Sequence, residues 1–206
     1  MKTPLLLIPG HLCDAELWTH QLQYLTDLAD MTVAALDGGA SMAAMAGAIL
    51  ARAPDRFALA GLSMGGYIAF EIMRQAPGRV ERLALLDTMA AGNTPAQLDR
   101  RRRMMDLLRS GRFDAMLAEF KPLLVHPARF ADEALMHAID AMARRIGPTI
   151  ALDQQQAMLD RPDSRPEVSG TAIFTLALAR GLNHGWLDAA TYGPAVQRAW
   201  NAIATQ

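Results

Sequence analysis

The stretch from Phe57 to Phe70 constrains the fold of this chain more than any other. An apolar run, Phe57-Ala58-Leu59-Ala60, ends in Gly61-Leu62-Ser63-Met64-Gly65-Gly66, and Tyr67, Phe70, Ile72 and Met73 follow at helical spacing before Pro77. That order predicts a strand, a sharp turn and a helix, with Ser63 at the apex. A hydroxyl placed there is held out of the sheet beside the positive end of a helix, where negative charge on an oxygen is stabilised. Side chains two residues either side of the serine would collide in so tight a turn, and Gly61 and Gly65 remove them. By chance alone Gly-x-Ser-x-Gly occurs in about one chain in forty of this length, and the flanking strand and helix make coincidence rarer still.

Strands alternate with helices around this element. Leu5-Leu6-Leu7-Ile8, followed by Pro9-Gly10, is the continuous apolar run of a strand covered on both faces. Asp14 is placed to cap a helix carrying Leu17, Trp18, Leu22, Leu25 and Leu28, and Thr32 to Leu36 reads as a second strand. Ser41 caps a helix with Met42, Met45, Ile49 and Leu50, and Arg82 to Asp87 is a fourth strand. Such alternation requires crossover connections and a mainly parallel sheet.

From Thr94-Pro95 the rhythm changes to helix after helix, with Gly111 as a stop and segments at Phe113 to Leu124, Asp132 to Ile146 and Pro148 to Leu159. The fold class is therefore α/β: a mainly parallel sheet flanked by helices, with a core of residues 1–93 and 166–206 and a helical cap over 94–165. Within the cap, Arg100 to Arg103 point four ways around a helix and read as solvated surface. Met104, Met105, Leu107 and Leu108 read as packing, or as the wall of an apolar pocket. Thr171 to Leu178 reads as a fifth strand, and a last helical stretch runs to Gln206.

The 206 residues suffice for one domain with a real core, and a net charge of −1 exerts no general pull toward nucleic acid or an anionic membrane. A small-molecule partner is expected instead. Cys13 is the only cysteine, so there is no internal disulfide; it reads as a small apolar filler and points to the cytoplasm. The run Leu5 to Ile8 is too short for a signal-peptide core or a membrane span. No metal or organic cofactor is expected, because no histidine and carboxylate cluster has ligand spacing and no Gly-x-Gly-x-x-Gly follows a strand. If closing strands are lacking, the edge Ile173 to Leu178 invites pairing with a second copy, giving a homodimer.

Leu6-Leu7-Ile8-Pro9-Gly10-His11, the Gly61 to Gly66 turn, the segment Pro77 to Asp87 and the helical cap together resemble the α/β-hydrolase fold superfamily in its esterase-like branch, over residues 4 to about 166. The resemblance implies a serine hydrolase that cleaves a small carboxylic ester, lactone or thioester through an acyl-enzyme. Ser63 is then the nucleophile, and the backbone N–H groups of His11 and Met64 form the oxyanion hole. In that superfamily an acid and then a terminal histidine follow the serine. Here the usual acid position falls near Asn183, and the histidine-bearing last loop has no counterpart.

His184 is the best remaining base, and Asp87 the acid that some members place on the corresponding strand; capping its turn is the plainer role for Asp87. His20 reads as surface and His126 and His137 as cap residues, while Asp153, Asp160, Asp163 and Asp188 have no better case as the acid. A tail that leaves the pattern after Pro166 would follow from a divergent, shortened or frameshifted C-terminus. The alternative function is a catalytically impaired hydrolase-fold protein that binds a ligand or partner.

Overall fold

The computed structural model describes residues 2–37 and 39–165, together with Asp188, Ala190 and Pro194. Two compact units divide the chain, Met1–Pro162 and Asp163–Gln206. In the second, the Asp163 carboxylate accepts hydrogen bonds from the backbone N–H and the guanidinium of Arg165. The expected fifth strand, its pairing edge, Asn183 and His184 lie outside the described residues.

The first unit contains a parallel sheet of β1 (Thr3–Ile8), β2 (Ala29–Val33), β3 (Phe57–Leu62) and β4 (Val80–Leu86), in the order β2-β1-β3-β4. Ile8 lies opposite Gly61 and Leu62 opposite Leu86, so the carboxyl ends of β1, β3 and β4 are level. The chain steps outward from β1 to β2 and then crosses to β3 on the other side. That reversal is where an open α/β sheet forms a crevice, and the segments after β1 and β3 flank it.

The helices α1 (Thr19–Tyr24), α2 (Met42–Leu50) and α3 (Met64–Gln75) flank the sheet. Trp18, in a short 3-10 turn before α1, packs with Leu7 and Ala60. Phe57, Ile68 and Ile72 are fully buried, and the expected Ser41 cap of α2 is present, its side chain accepting from the Ala44 N–H at 3.1 Å.

Two boundaries differ most from the sequence reading. The first helix ends at Tyr24, leaving Leu28 72% exposed, and the second strand runs Ala29–Val33 rather than from Thr32 to Leu36. Pairing decides this: β1 offers Thr3 to Leu7 as partners, and the register sets Ala29 opposite Thr3. The chain must therefore turn by Leu28, whose N–H bonds back to the Leu25 carbonyl.

Beyond the sheet come α4 (Pro95–Arg109), α5 (Phe113–Phe120) and α6 (Glu133–Leu159). Thr94 and Gln97 form a reciprocal capping box at the start of α4, and Gly111 follows its end with φ +72°. Gly147, at φ +76°, breaks α6, and Pro148 restarts it. Met104, Leu107, Leu108, Met116 and Ala151 pack into one buried cluster with Leu12 from the segment after β1. Among the described residues no helix is long and apolar enough to cross a membrane.

Candidate active site

Ser63 stands between β3 and α3 with φ +52° and ψ −110°, a backbone strain of about 1–3 kcal/mol that only a surrounding scaffold can hold. Its N–H donates to the Leu86 carbonyl at 2.9 Å, and its carbonyl accepts from the Gly66 N–H at 3.0 Å and from the Thr88 hydroxyl at 2.8 Å. Gly61 is required because a Cβ there would come within 2.6 Å of the Gly65 carbonyl carbon. Gly65 has a different reason from the one read in the sequence: its Cβ would press on the backbone closing β1, 2.8 Å from the Pro9 oxygen. The elbow is thus seated directly against Pro9-Gly10, and a Cβ on Gly10 would lie 3.7 Å from that of Ser63.

Two backbone donors flank this point. Among the described residues neither the His11 N–H nor the Met64 N–H has a hydrogen-bond acceptor. Met64 is the first residue of α3, where helix geometry provides no internal partner. Both residues expected to supply an oxyanion hole therefore hold a free amide beside the Ser63 turn.

The His11 imidazole is committed elsewhere. The Gln154 amide oxygen lies 2.7 Å from His11 Nδ1 and also accepts the Leu12 N–H at 3.0 Å. An oxygen that accepts both bonds places the proton on Nδ1, so Nε2 must accept the Gln155 amide N–H at 2.9 Å. Burial holds the ring neutral, lowering its pKa to about 4. With its lone pair occupied, this ring cannot serve as a general base.

The other sequence candidates are spread apart. Asp87 follows β4 with φ +44° and lines the same cavity as Ser63. His20 is exposed at the cavity rim, whereas His126 and His137 are exposed elsewhere, the His126 Nδ1 accepting the Ala128 N–H at 3.2 Å. Burial pushes the Cys13 thiol up to about 11, so it stays protonated, as suits a filler. Among the described residues no group of three or more His, Cys, Asp or Glu is placed to hold a metal.

The cavity measures about 750 Å³. Ser63, Tyr67 and Asp87 form its sheet side, and Met104, Phe120, Met142 and Met158 face them from the helices. Met104 is both a core residue and a wall residue, while Leu107 and Leu108 only pack. Arg102 and Arg103 point outward as the sequence suggests, but Arg100 and Arg101 line the cavity. Sequence reading missed Gln154, Gln155 and Arg101. The signal for the first two was a polar pair set between Ala151 and Met158 on an apolar helix face.

Solved structures share this architecture. A thermophilic esterase from Thermogutta terrifontis is 28% identical, with a TM-score of 0.72 over 84% of this chain and 68% of that one. The enol-lactonase from Burkholderia xenovorans LB400 is 19% identical, also with a TM-score of 0.72, over 81% of this chain and 68% of its own. The chain belongs to the α/β-hydrolase fold superfamily. This hydrolase-fold protein is also similar to a hydrolase from Pseudomonas aeruginosa PA01, at 23% identity and a TM-score of 0.68 over 87% and 68% of the two chains.

A different likeness covers its last quarter: residues 151–206 match Glycosyl Hydrolase Family 88. A stretch of 38 residues is 55% identical to the unsaturated 3S-rhamnoglycuronyl hydrolase of Formosa agariphila, covering 18% of this chain and 10% of that protein. The hydrolase-fold chain thus spans a tenth of the length of that relative. The family match includes the stretch after Pro166, where the expected landmarks of the superfamily stop.

Proposed function

We propose that this protein is a serine hydrolase that cleaves a small carboxylic ester, lactone or thioester through an acyl-enzyme. The observation carrying the reading is Ser63, held at φ +52° on the cavity wall beside the unclaimed N–H groups of His11 and Met64. The Ser63 hydroxyl attacks the carbonyl carbon, its proton passing to a base, and the carbonyl oxygen takes the negative charge. The two amides stabilise that charge by about 3 kcal/mol each. The leaving group departs with the proton, and water then releases the acid and restores the serine. His184 is the proposed base and Asp87 the proposed acid, with residues 94–165 as the cap over the substrate. A cytoplasmic location and pairing of copies through Ile173 to Leu178 belong to the same reading.

A fluorophosphonate probe and p-nitrophenyl acetate test it. Native protein is expected to label and turn over, and Ser63→Ala to do neither; His184→Ala should lower kcat by at least about 1,000-fold. Equal turnover by native protein and Ser63→Ala would end the enzyme reading. It would favour the alternative, an impaired hydrolase-fold protein that binds a ligand or partner. One observation speaks for that alternative: the buried imidazole on the Ser63 cavity has its lone pair occupied.

A further inference from the structure

The four arginines at 100–103 divide into two pairs with different surroundings. Arg102 pairs with Asp99 at 3.2 Å, and Arg103 holds both oxygens of Glu119 at 2.6 and 2.7 Å. Arg100 and Arg101 face the cavity instead, and among the described residues neither makes an ion pair. The half-buried Arg101 donates from Nε to the Asn93 side-chain oxygen at 3.1 Å and from Nη1 to the Met158 sulfur at 3.1 Å. Both acceptors are uncharged, and a thioether is a weak one.

The surroundings add positive charge. The Arg161 guanidinium lies 4.1 Å above the Tyr67 ring. Burial, Arg161 and Arg100 all hold the Arg101 pKa below the usual guanidinium range, with Tyr67 opposing them. Of the other charged groups lining the cavity, Glu16 pairs with Arg145 and Lys121 with Asp140, and Asp87 stands on the sheet side without an ion pair to either arginine. A partly dehydrated guanidinium facing open space gains most from a planar anion that takes two of its N–H groups at once.

Resting on the reading of Ser63 above, we propose that Arg101, assisted by Arg100, binds a carboxylate of the substrate, which is therefore an ester or lactone that also carries a free carboxylate. The apolar wall of Met104, Met142 and Met158 suits the carbon chain between the two groups. Ser63 and Arg101 then divide the substrate between reacting carbonyl and anchoring anion.

The test compares mono(4-nitrophenyl) glutarate with 4-nitrophenyl butyrate on the full chain. Native protein should favour the glutarate ester in kcat/KM by about 10- to 100-fold, and Arg101→Met should bring the ratio near 1. Arg102→Gln, on the outward pair, should leave the ratio as in native protein. A native ratio at or below 1, or a ratio that survives Arg101→Met, overturns the carboxylate site without touching the serine mechanism.

Binding supplies an independent readout. Free glutarate should raise the melting temperature of Ser63→Ala, and adding Arg101→Met should abolish the rise. If neither ester is cleaved but this stabilisation appears, the site stands and the Ser63 reading fails. If glutarate gives no stabilisation, the site is refuted even where esters are hydrolysed. Arg100→Gln, on an exposed side chain, gives the same readout with a smaller loss should Arg101→Met fail to fold.

Discussion

On the sheet side of the cavity, backbone rests on backbone: Gly61 and Gly65 let β3, α3 and the end of β1 approach without an intervening Cβ. On the helical side, Gln154 and Gln155 of α6 reach side chains across 143 and 144 residues of sequence to hold both ring nitrogens of His11. The first wall is backbone brought together by strand pairing, and its tolerance is set by atoms that cannot rotate away. The second is built from long-range polar contacts, and its tolerance is set by what is left unpaired when one of them goes. The same cavity is thus rigid on one side for steric reasons and ordered on the other by hydrogen bonds.

The largest expected effect breaks the sheet side. Gly65→Ala drives a Cβ into the Ile8 and Pro9 carbonyls and should cost more than about 4 kcal/mol, read as a shift in urea midpoint. A cost under about 1 kcal/mol would show that the segment after β1 can move aside.

The next effect is a pH dependence from the helical side. His11 has a folded-state pKa of about 4 against an ordinary 6.5, so the unfolded chain binds this proton first. The stabilisation is complete above pH 6.5 and is lost as the pH falls toward 4, amounting to about 3 kcal/mol. His11→Asn should flatten the stability profile across that window, and an imidazole that titrates near 6.5 by NMR would remove the effect.

Gln154→Leu sharpens the comparison further, since it leaves the Leu12 N–H and the His11 Nδ1–H unpaired; about 2 kcal/mol should be lost by thermal unfolding. Smallest is Thr94→Ala, which removes the α4 cap at about 1 kcal/mol. A Thr94 loss equal to that of Gln154 would mean that local and long-range order hold the helical wall equally.

The architecture was largely legible because its signals are local. Gly61-x-Ser63-x-Gly65 specified the elbow, and Thr94-Pro95, Gly111 and Gly147-Pro148 marked helix boundaries that the structure reproduces. The second strand was misplaced because apolar periodicity continued through Leu25 and Leu28 past the point where pairing with β1 takes over. The site was legible only on its sheet side. Ser63, Asp87 and the two free amides follow from the level ends of three strands, whereas nothing near His11 in sequence indicates that its ring will be held by two glutamines.

By itself, then, the sequence determined a parallel sheet with a serine at a strand-to-helix turn, because alternating periodicity and glycine placement act over a few residues. Tertiary structure decided that the His11 ring is clamped by Gln154 and Gln155, and that Arg100 and Arg101 turn inward while Arg102 and Arg103 turn out. A helix fixes only the angles between its own side chains. Which of them meets water and which meets a cavity depends on neighbours supplied from distant parts of the chain.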